Sequence, residues 1–181
     1  MRASVIGGGT WGSAFAYYLG KQNVETNLWI REKDIYEKTL KHRENKTFLS
    51  GTIFSPLVSF FNDIEEAVNN TKIVFIAVPS KFCRSIYEKI APFLSSDHNL
   101  VSLTKGIEEG SLQRMSEIME EVFSPHFHPQ ITVLSGPSFA REVADSHPTA
   151  VVVASENLNL AKIIQHFISS LSFRVYTSQD V

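Results

Sequence analysis

The stretch "VIGGGTWG" sets Gly7, Gly9 and Gly12 in a G-x-G-x-x-G spacing between a short apolar run and a segment of helical period. No other feature restricts the fold of this chain as strongly. The first glycine admits a tight turn, the second lets a pyrophosphate approach the backbone, and the third lets a helix pack closely on a strand. The helix start that follows offers free N–H groups and a partial positive charge to phosphates. No G-K-[ST] follows, which argues against a P-loop. Taken by itself, the turn is also compatible with a glycine-rich bend that holds nothing.

The rest of the sequence supplies the context the turn needs. Apolar, β-branched runs alternate with segments of helical period, the pattern of βαβ units around a mostly parallel sheet with helices on both faces. Ala3 to Ile6 reads as the first strand and Thr10 to Lys21 as the first helix. Val24 to Ile30 reads as the second strand, with Val24, Thr26, Leu28 and Ile30 on one face, followed by a charged helix over 32–42. "RENKTFLSGTIFSP" (43–56) has no clear period and reads as an irregular insertion. Val58 to Phe61 is a third strand, "NDIEEAVNN" a capped short helix, and "KIVFIAVPS" the clearest buried strand. Ser80 is expected to cap the next helix, with Phe82, Ile86, Ile90 and Phe93 turned inward.

Leu100 to Leu103, Ile131 to Leu134, "PTAVVVAS" and Phe173 to Tyr176 read as four further strands, separated by helices over Ser111 to Val122 and Leu158 to Leu171. The last two strands follow the mononucleotide-type halves and are compatible with an antiparallel extension of the sheet. The expected fold class is therefore α/β, a Rossmann-type domain over 1–181.

At 181 residues and 43% hydrophobic, the chain suits one core. Seventeen Lys plus Arg against nineteen Asp plus Glu leave a net charge of −2, so no electrostatic footprint points to nucleic acid or an anionic membrane. The single cysteine, Cys83, rules out an internal disulfide framework and fits a reducing, cytoplasmic setting. It falls on an apolar helix face and reads as packing. His126 and His128 lie in a proline-flanked loop without a third ligand, so no metal is expected. No run reaches the ~18 apolar residues of a membrane span, and no membrane insertion is expected.

In an open α/β sheet, ligands bind beyond the carboxyl ends of the strands. The residues there form one set: Gly7 to Gly12, Arg31, Val78 to Phe82, Thr104 to Gly106, and Ser135 to Ala140. Arg31 and Glu32 stand where the cofactor ribose is read. An acidic residue accepts the 2′-hydroxyl of NAD, and an arginine pairs with the 2′-phosphate of NADP or stacks on adenine. "AVPSKF" offers backbone from Pro79 and the aromatic face of Phe82. "TKG" delivers the cation of Lys105, and "SGPSFA" offers backbone N–H groups and the Ser138 hydroxyl.

Together "VIGGGTWGSAFA", "NLWIRE", "FIAVPSKF", "SLTKGIE", "LSGPSFAREVA", "PTAVVVAS" and "FRVYTSQDV" resemble the bacterial-type NAD(P)-dependent glycerol-3-phosphate dehydrogenase family over essentially the whole chain. "TKGIE" with "SGPSFA" is far more specific than the glycine turn. The resemblance implies reversible hydride transfer between NAD(P)H and dihydroxyacetone phosphate, giving sn-glycerol 3-phosphate for glycerophospholipids. It maps Thr10, Trp11, Arg31, Phe82, Lys105 and Ala140 to cofactor contacts, and Lys105, Gly136 and Ser138 to substrate contacts. A homodimer is compatible with the full-length enzyme.

The sequence departs from the family pattern in three places. Gly8 stands where alanine is common, which reads as a tolerable change, and "NKTFLSG" has Ser50 in place of proline. The family's helical second domain, with its proton-transferring lysine, is expected after Val181, so this chain holds no catalytic residue and is expected to turn over little alone. Two other readings stay open: another two-domain dehydrogenase of the 3-hydroxyacid or 6-phosphogluconate type, and a non-catalytic dinucleotide-sensing module.

Overall fold

Strand β1 (Arg2–Ile6) lies between β2 (Glu25–Trp29) and β4 (Ile73–Ile76), and this placement fixes where a ligand can enter. The computed structural model describes residues 2–181. With β3 (Val58–Phe61), β5 (Asn99–Ser102), β6 (Gln130–Ser135), β7 (Thr149–Ala154) and β8 (Phe173–Ser178), these strands form one sheet in the order β3-β2-β1-β4-β5-β6-β7-β8. The first six run parallel. β7 pairs antiparallel with β6, and β8 parallel with β7, so the last two strands reverse direction as the sequence allowed. The chain leaves β1 toward β2 and β3, then returns to β4 on the other side. This reversal opens a crevice beyond the carboxyl ends of β1 and β4.

The helices follow from the same pattern: α1 (Thr10–Lys21), α2 (Lys33–His42), α3 (Ile64–Val68), α4 (Cys83–Ile90), α5 (Met115–Phe123), α6 (Ala140–Ala144) and α7 (Leu158–Ile168). Successive strand residues point to opposite faces. Ala3, Val5, Ile73 and Phe75 pack with Phe15 and Leu19 of α1 and Ile164 of α7. Ile6, Val74 and Ile76 pack on the other face with Ile86, Tyr87 and Ile90 of α4 and Ile118 of α5. All four residues of β4 are fully buried, the property of a parallel strand covered on both faces. The Tyr18 hydroxyl donates to the Ile168 carbonyl at 2.6 Å and ties α1 to the end of α7.

Caps set several ends. The Asp63 carboxylate accepts from the Glu65 and Glu66 amides at 2.8 and 3.2 Å and starts α3. Asn157 does the same for α7 through Asn159 and Leu160. Each satisfies N–H groups that a helix start leaves free.

Several expectations are corrected. Ser80 caps nothing: it opens one turn of 3₁₀ helix, Ser80–Phe82, behind Pro79. Phe93 is 38% exposed rather than inward. The helix expected from Ser111 begins at Met115, because residues 107–114 fold into a loop closed by an Ile107–Arg114 bridge. The helix expected to reach Leu171 ends at Ile168. Strand β2 is buried on both faces, since the Asn27 amide donates to the Ala67 carbonyl at 3.0 Å.

The close seating of α1 on β1 yields a stability prediction. A Cβ on Gly12 would stand 1.8 Å from the Gly7 carbonyl oxygen, whereas a Cβ on Gly9 would meet nothing within 4 Å. Gly12→Ala is expected to cost on the order of 4 kcal/mol in urea unfolding. Gly9→Ala is expected to unfold within about 1 kcal/mol of wild type, and equal losses would refute the seating.

Candidate functional site

Gly7 has φ +122°, a conformation open mainly to glycine, and a Cβ there would lie 2.5 Å from the Ala77 carbonyl oxygen. The backbone therefore turns sharply from β1 into α1 beside the end of β4. Gly8 is buried, Gly9 half-buried and Thr10 exposed, so the turn rises out of the core at the helix mouth. Glycine at position 8 is accommodated in the turn, and a Cβ there would meet Ile30 Cγ1 at 2.7 Å.

Gly7, Gly9, Thr10, Arg31, Pro79 and Phe82 all line one cavity of about 300 Å³, together with Gly8, Glu32 and Phe48. The Arg31 guanidinium sits 5.1 Å from the centre of the Phe82 ring and donates to Glu32 Oε1 at 2.9 and 2.6 Å. Cation, ring and carboxylate thus form one wall. Lys81 also lies 4.9 Å from that ring, on its way to solvent. The space over Gly9 fits a phosphate-bearing ligand, because nothing in the fold occupies the volume a Cβ would fill.

Lys105 lies three residues beyond β5 and is exposed, with no ion pair among the described residues. It lines a second cavity of about 450 Å³ with Thr104, Ser135 and Gly136. Thr104 joins the two cavities, since its hydroxyl donates to the Val78 carbonyl at 2.8 Å and Val78 lines the first. Gly136 is needed for packing too: its φ is +144°, and a Cβ would stand 3.0 Å from the Ala150 oxygen on β7.

The remaining predicted residues sit back from these cavities. Ser138 is 5% exposed and donates to the Gly136 carbonyl at 3.3 Å, bracing its own turn. Phe139, not Ser138, precedes α6. Ala140 packs with Trp11, Ala14, Leu49 and Ala144 in a small cluster between α1 and α6. The Trp11 indole nitrogen is buried without an acceptor among the described residues. Cys83 is buried beside the Thr104 hydroxyl, and burial pushes its thiol pKa up, which suits packing rather than nucleophilic chemistry.

Three contributors were given no site role by the sequence, although Asn45 and Phe48 stand at positions where the loop keeps the family pattern. Phe48 lines the first cavity from the insertion. Asn45, wholly buried, reaches from the same insertion to the glycine turn, donating to the Gly8 carbonyl at 2.8 Å. Arg84 on α4 grips the loop that carries Lys105: it donates to both oxygens of Glu108 at 2.9 Å and to Glu121 Oε1 at 2.9 Å. "NKTF" lacks periodicity, so its match to the family's loop pattern was its one signal, and an arginine on a helix reads as surface. Among the described residues no group of His, Cys, Asp and Glu is arranged for a metal, and no helix is long and apolar enough to cross a membrane.

The sheet order, the glycine turn at the mouth of α1 and the crevice at the switch point define a Rossmann-type α/β domain. The family described as NAD-dependent glycerol-3-phosphate dehydrogenase N-terminus matches residues 2–161. The chain belongs to that family. Glycerol-3-phosphate dehydrogenase [NAD(P)+] of Koribacter versatilis is 39% identical over 181 residues, covering 99% of this chain and 54% of that protein. The enzyme of the same name from a Thermoanaerobacter species is 40% identical, covering 100% of this chain and 53% of its own length. The crystal structure of glycerol-3-phosphate dehydrogenase from Coxiella burnetii superposes with a TM-score of 0.93 at 27% identity, over 99% of this chain and 54% of that one. A ketopantoate reductase from Ralstonia eutropha, at 16% identity and a TM-score of 0.72, shares the fold alone. The chain spans about half the length of the curated relatives it matches.

The Arg84 grip makes the loop pH-sensitive. Hydrogen bonds from Arg84 hold the Glu108 and Glu121 carboxyls below the usual carboxylate range, helped by Ser111 and Gln113 respectively. A depressed folded pKa means that the contribution is complete above about pH 4.3, the unfolded value, and is lost as pH falls through the lowered values. Amide exchange over 105–113, corrected for intrinsic rate, is expected to rise below that pH. Arg84→Ala should already show the faster exchange at pH 7; unchanged protection in it would contradict the grip.

Proposed function

We propose that this chain is the cofactor-binding half of an NAD(P)-dependent glycerol-3-phosphate dehydrogenase, working on dihydroxyacetone phosphate and sn-glycerol 3-phosphate in the cytoplasm. One observation carries the reading: the unfilled volume over Gly9, at the N-terminus of α1 and in the same cavity as Arg31 and Phe82. The N–H groups at the start of α1, with the positive end of its dipole, bind the pyrophosphate. The Arg31–Phe82 wall takes the adenosine end, where Glu32 is placed for a ribose hydroxyl and Arg31 for a 2′-phosphate. When bound, the nicotinamide supplies or accepts the hydride.

Lys105 is assigned to the junction of cofactor and substrate. Its ammonium, free of any carboxylate partner among the described residues, stabilises negative charge on the substrate's carbonyl oxygen or phosphate. Ser135 and Gly136 line the same cavity, where their backbone orients the substrate, and Ser138 supports that turn from behind through its bond to the Gly136 carbonyl. Proton transfer is assigned to a lysine outside these residues, as in the resemblance, and so is the main grip on the substrate phosphate. Cytoplasmic placement is supported by the single, buried cysteine.

Two measurements test the reading. In the complete enzyme, NADH oxidation should proceed with dihydroxyacetone phosphate and not with a 3-keto acid; the reverse preference would sink the assignment. Lys105→Ala should lower kcat/KM by ~100-fold or more, the scale of a lost charge-stabilising donor. Lys81→Ala should change it by less than about 3-fold, the scale of an exposed charge. In the isolated chain, Gly9→Val should abolish NADH and NADPH binding while leaving the fold intact.

A further inference from the structure

Asn45 lies in the aperiodic insertion, well away in sequence from the glycine turn, yet it is fully buried against that turn. Its side-chain amide is fully committed. Nδ2 donates to the Gly8 carbonyl at 2.8 Å and to Ser13 Oγ at 2.9 Å, while Oδ1 accepts from the Phe48 amide at 3.2 Å. Ser13, also fully buried, donates its own hydroxyl to the same Gly8 carbonyl at 3.1 Å. The Gly8 oxygen therefore receives two donors from inside the protein.

That carbonyl shares a planar peptide with the Gly9 N–H, and in a trans peptide the two groups point in opposite directions. Holding the oxygen inward drives the Gly9 N–H outward, toward the volume left open over Gly9. The Gly9 carbonyl is fixed as well, since the Ser13 amide donates to it at 2.9 Å. Both peptide planes around Gly9 are thus set by partners behind the turn. A glycine has the widest conformational freedom of any residue, so such bracing removes much of the ordering cost that binding would otherwise carry.

We propose that Asn45, with Ser13, is a positioning residue that presents the Gly9 N–H to the pyrophosphate of a dinucleotide. Through its bond to the Phe48 amide it also fixes the aromatic residue that lines the same cavity. The inference rests on the dinucleotide reading above. A ligand without phosphates gains nothing from the Gly9 N–H, so the role is confined to the phosphate-dependent part of affinity.

The test is calorimetric titration of the 181-residue chain with NADH, NADPH and adenosine. Asn45→Asp keeps the shape and replaces the donor by an acceptor facing the Gly8 oxygen. It should weaken dinucleotide binding ~10-fold or more, the scale of a lost hydrogen bond to a charged group. Adenosine affinity should stay within about 2-fold, since adenosine lacks the phosphates this N–H would serve. If that variant fails to fold, Ser13→Ala carries the test, with ~3-fold or greater weakening for dinucleotide only. In amide NMR, the Gly9 signal of wild type should move on adding inorganic pyrophosphate, and this shift should shrink in either variant. Wild-type affinity retained by the folded variants, or a parallel loss of adenosine binding, would overturn the positioning role. A wild-type chain that binds neither NADH nor NADPH would instead remove the dinucleotide reading on which it stands.

Discussion

The approach of α1 to the end of β1 is the contact on which the rest of the domain depends. Only a residue without a Cβ can stand at Gly12, with the Gly7 carbonyl against it, and only a positive φ lets the chain turn there beside Ala77. Seated this closely, α1 brings Phe15 onto Phe75, with ring centres 4.9 Å apart, and Tyr18 onto the end of α7. One backbone contact therefore sets the helix start that faces the crevice and the aromatic packing under the sheet.

The insertion between α2 and β3 has an organising part. Arg43 binds the carbonyls of Phe54, Ser55 and Val58, and its guanidinium lies 5.1 Å from the Phe60 ring, closing the loop on itself. Asn45 joins the loop to the glycine turn, and Arg141 on α6 donates to the Ser50 carbonyl at 2.8 Å. The loop thus connects the turn that starts α1 with the segment that follows β6. Serine in place of proline at position 50 leaves this bond intact, because the carbonyl and not the side chain accepts it.

The electrostatic arrangement separates tasks. Arg31 is neutralised by Glu32 and stacked on Phe82, so it presents a flat, partly compensated face suited to an aromatic base. Lys105 carries no such partner among the described residues, so its full charge is available at the second cavity. Its backbone is anchored by Thr104 on one side and by the Arg84–Glu108 pair on the other. A free cation on a braced loop is the arrangement expected where charge must be met at a fixed point.

The strand–turn–helix order, the helix over Thr10 to Lys21 and the grouping of Gly7 to Gly12, Arg31, Phe82 and Lys105 beyond the strand ends were legible in the sequence. Each rests on local signals, namely glycine spacing, apolar period and the rule that ligands meet strand ends. Tertiary structure decided what those signals leave open. It gave β7 its antiparallel direction, moved the start of α5 from Ser111 to Met115, exposed Phe93, and drew Ala140 into packing with Trp11 rather than into a cavity. It also brought Asn45 to Gly8 and Arg84 to Glu108. Such contacts join residues whose neighbours in sequence carry no periodic pattern, so they exist only once the sheet has set the distances between its loops.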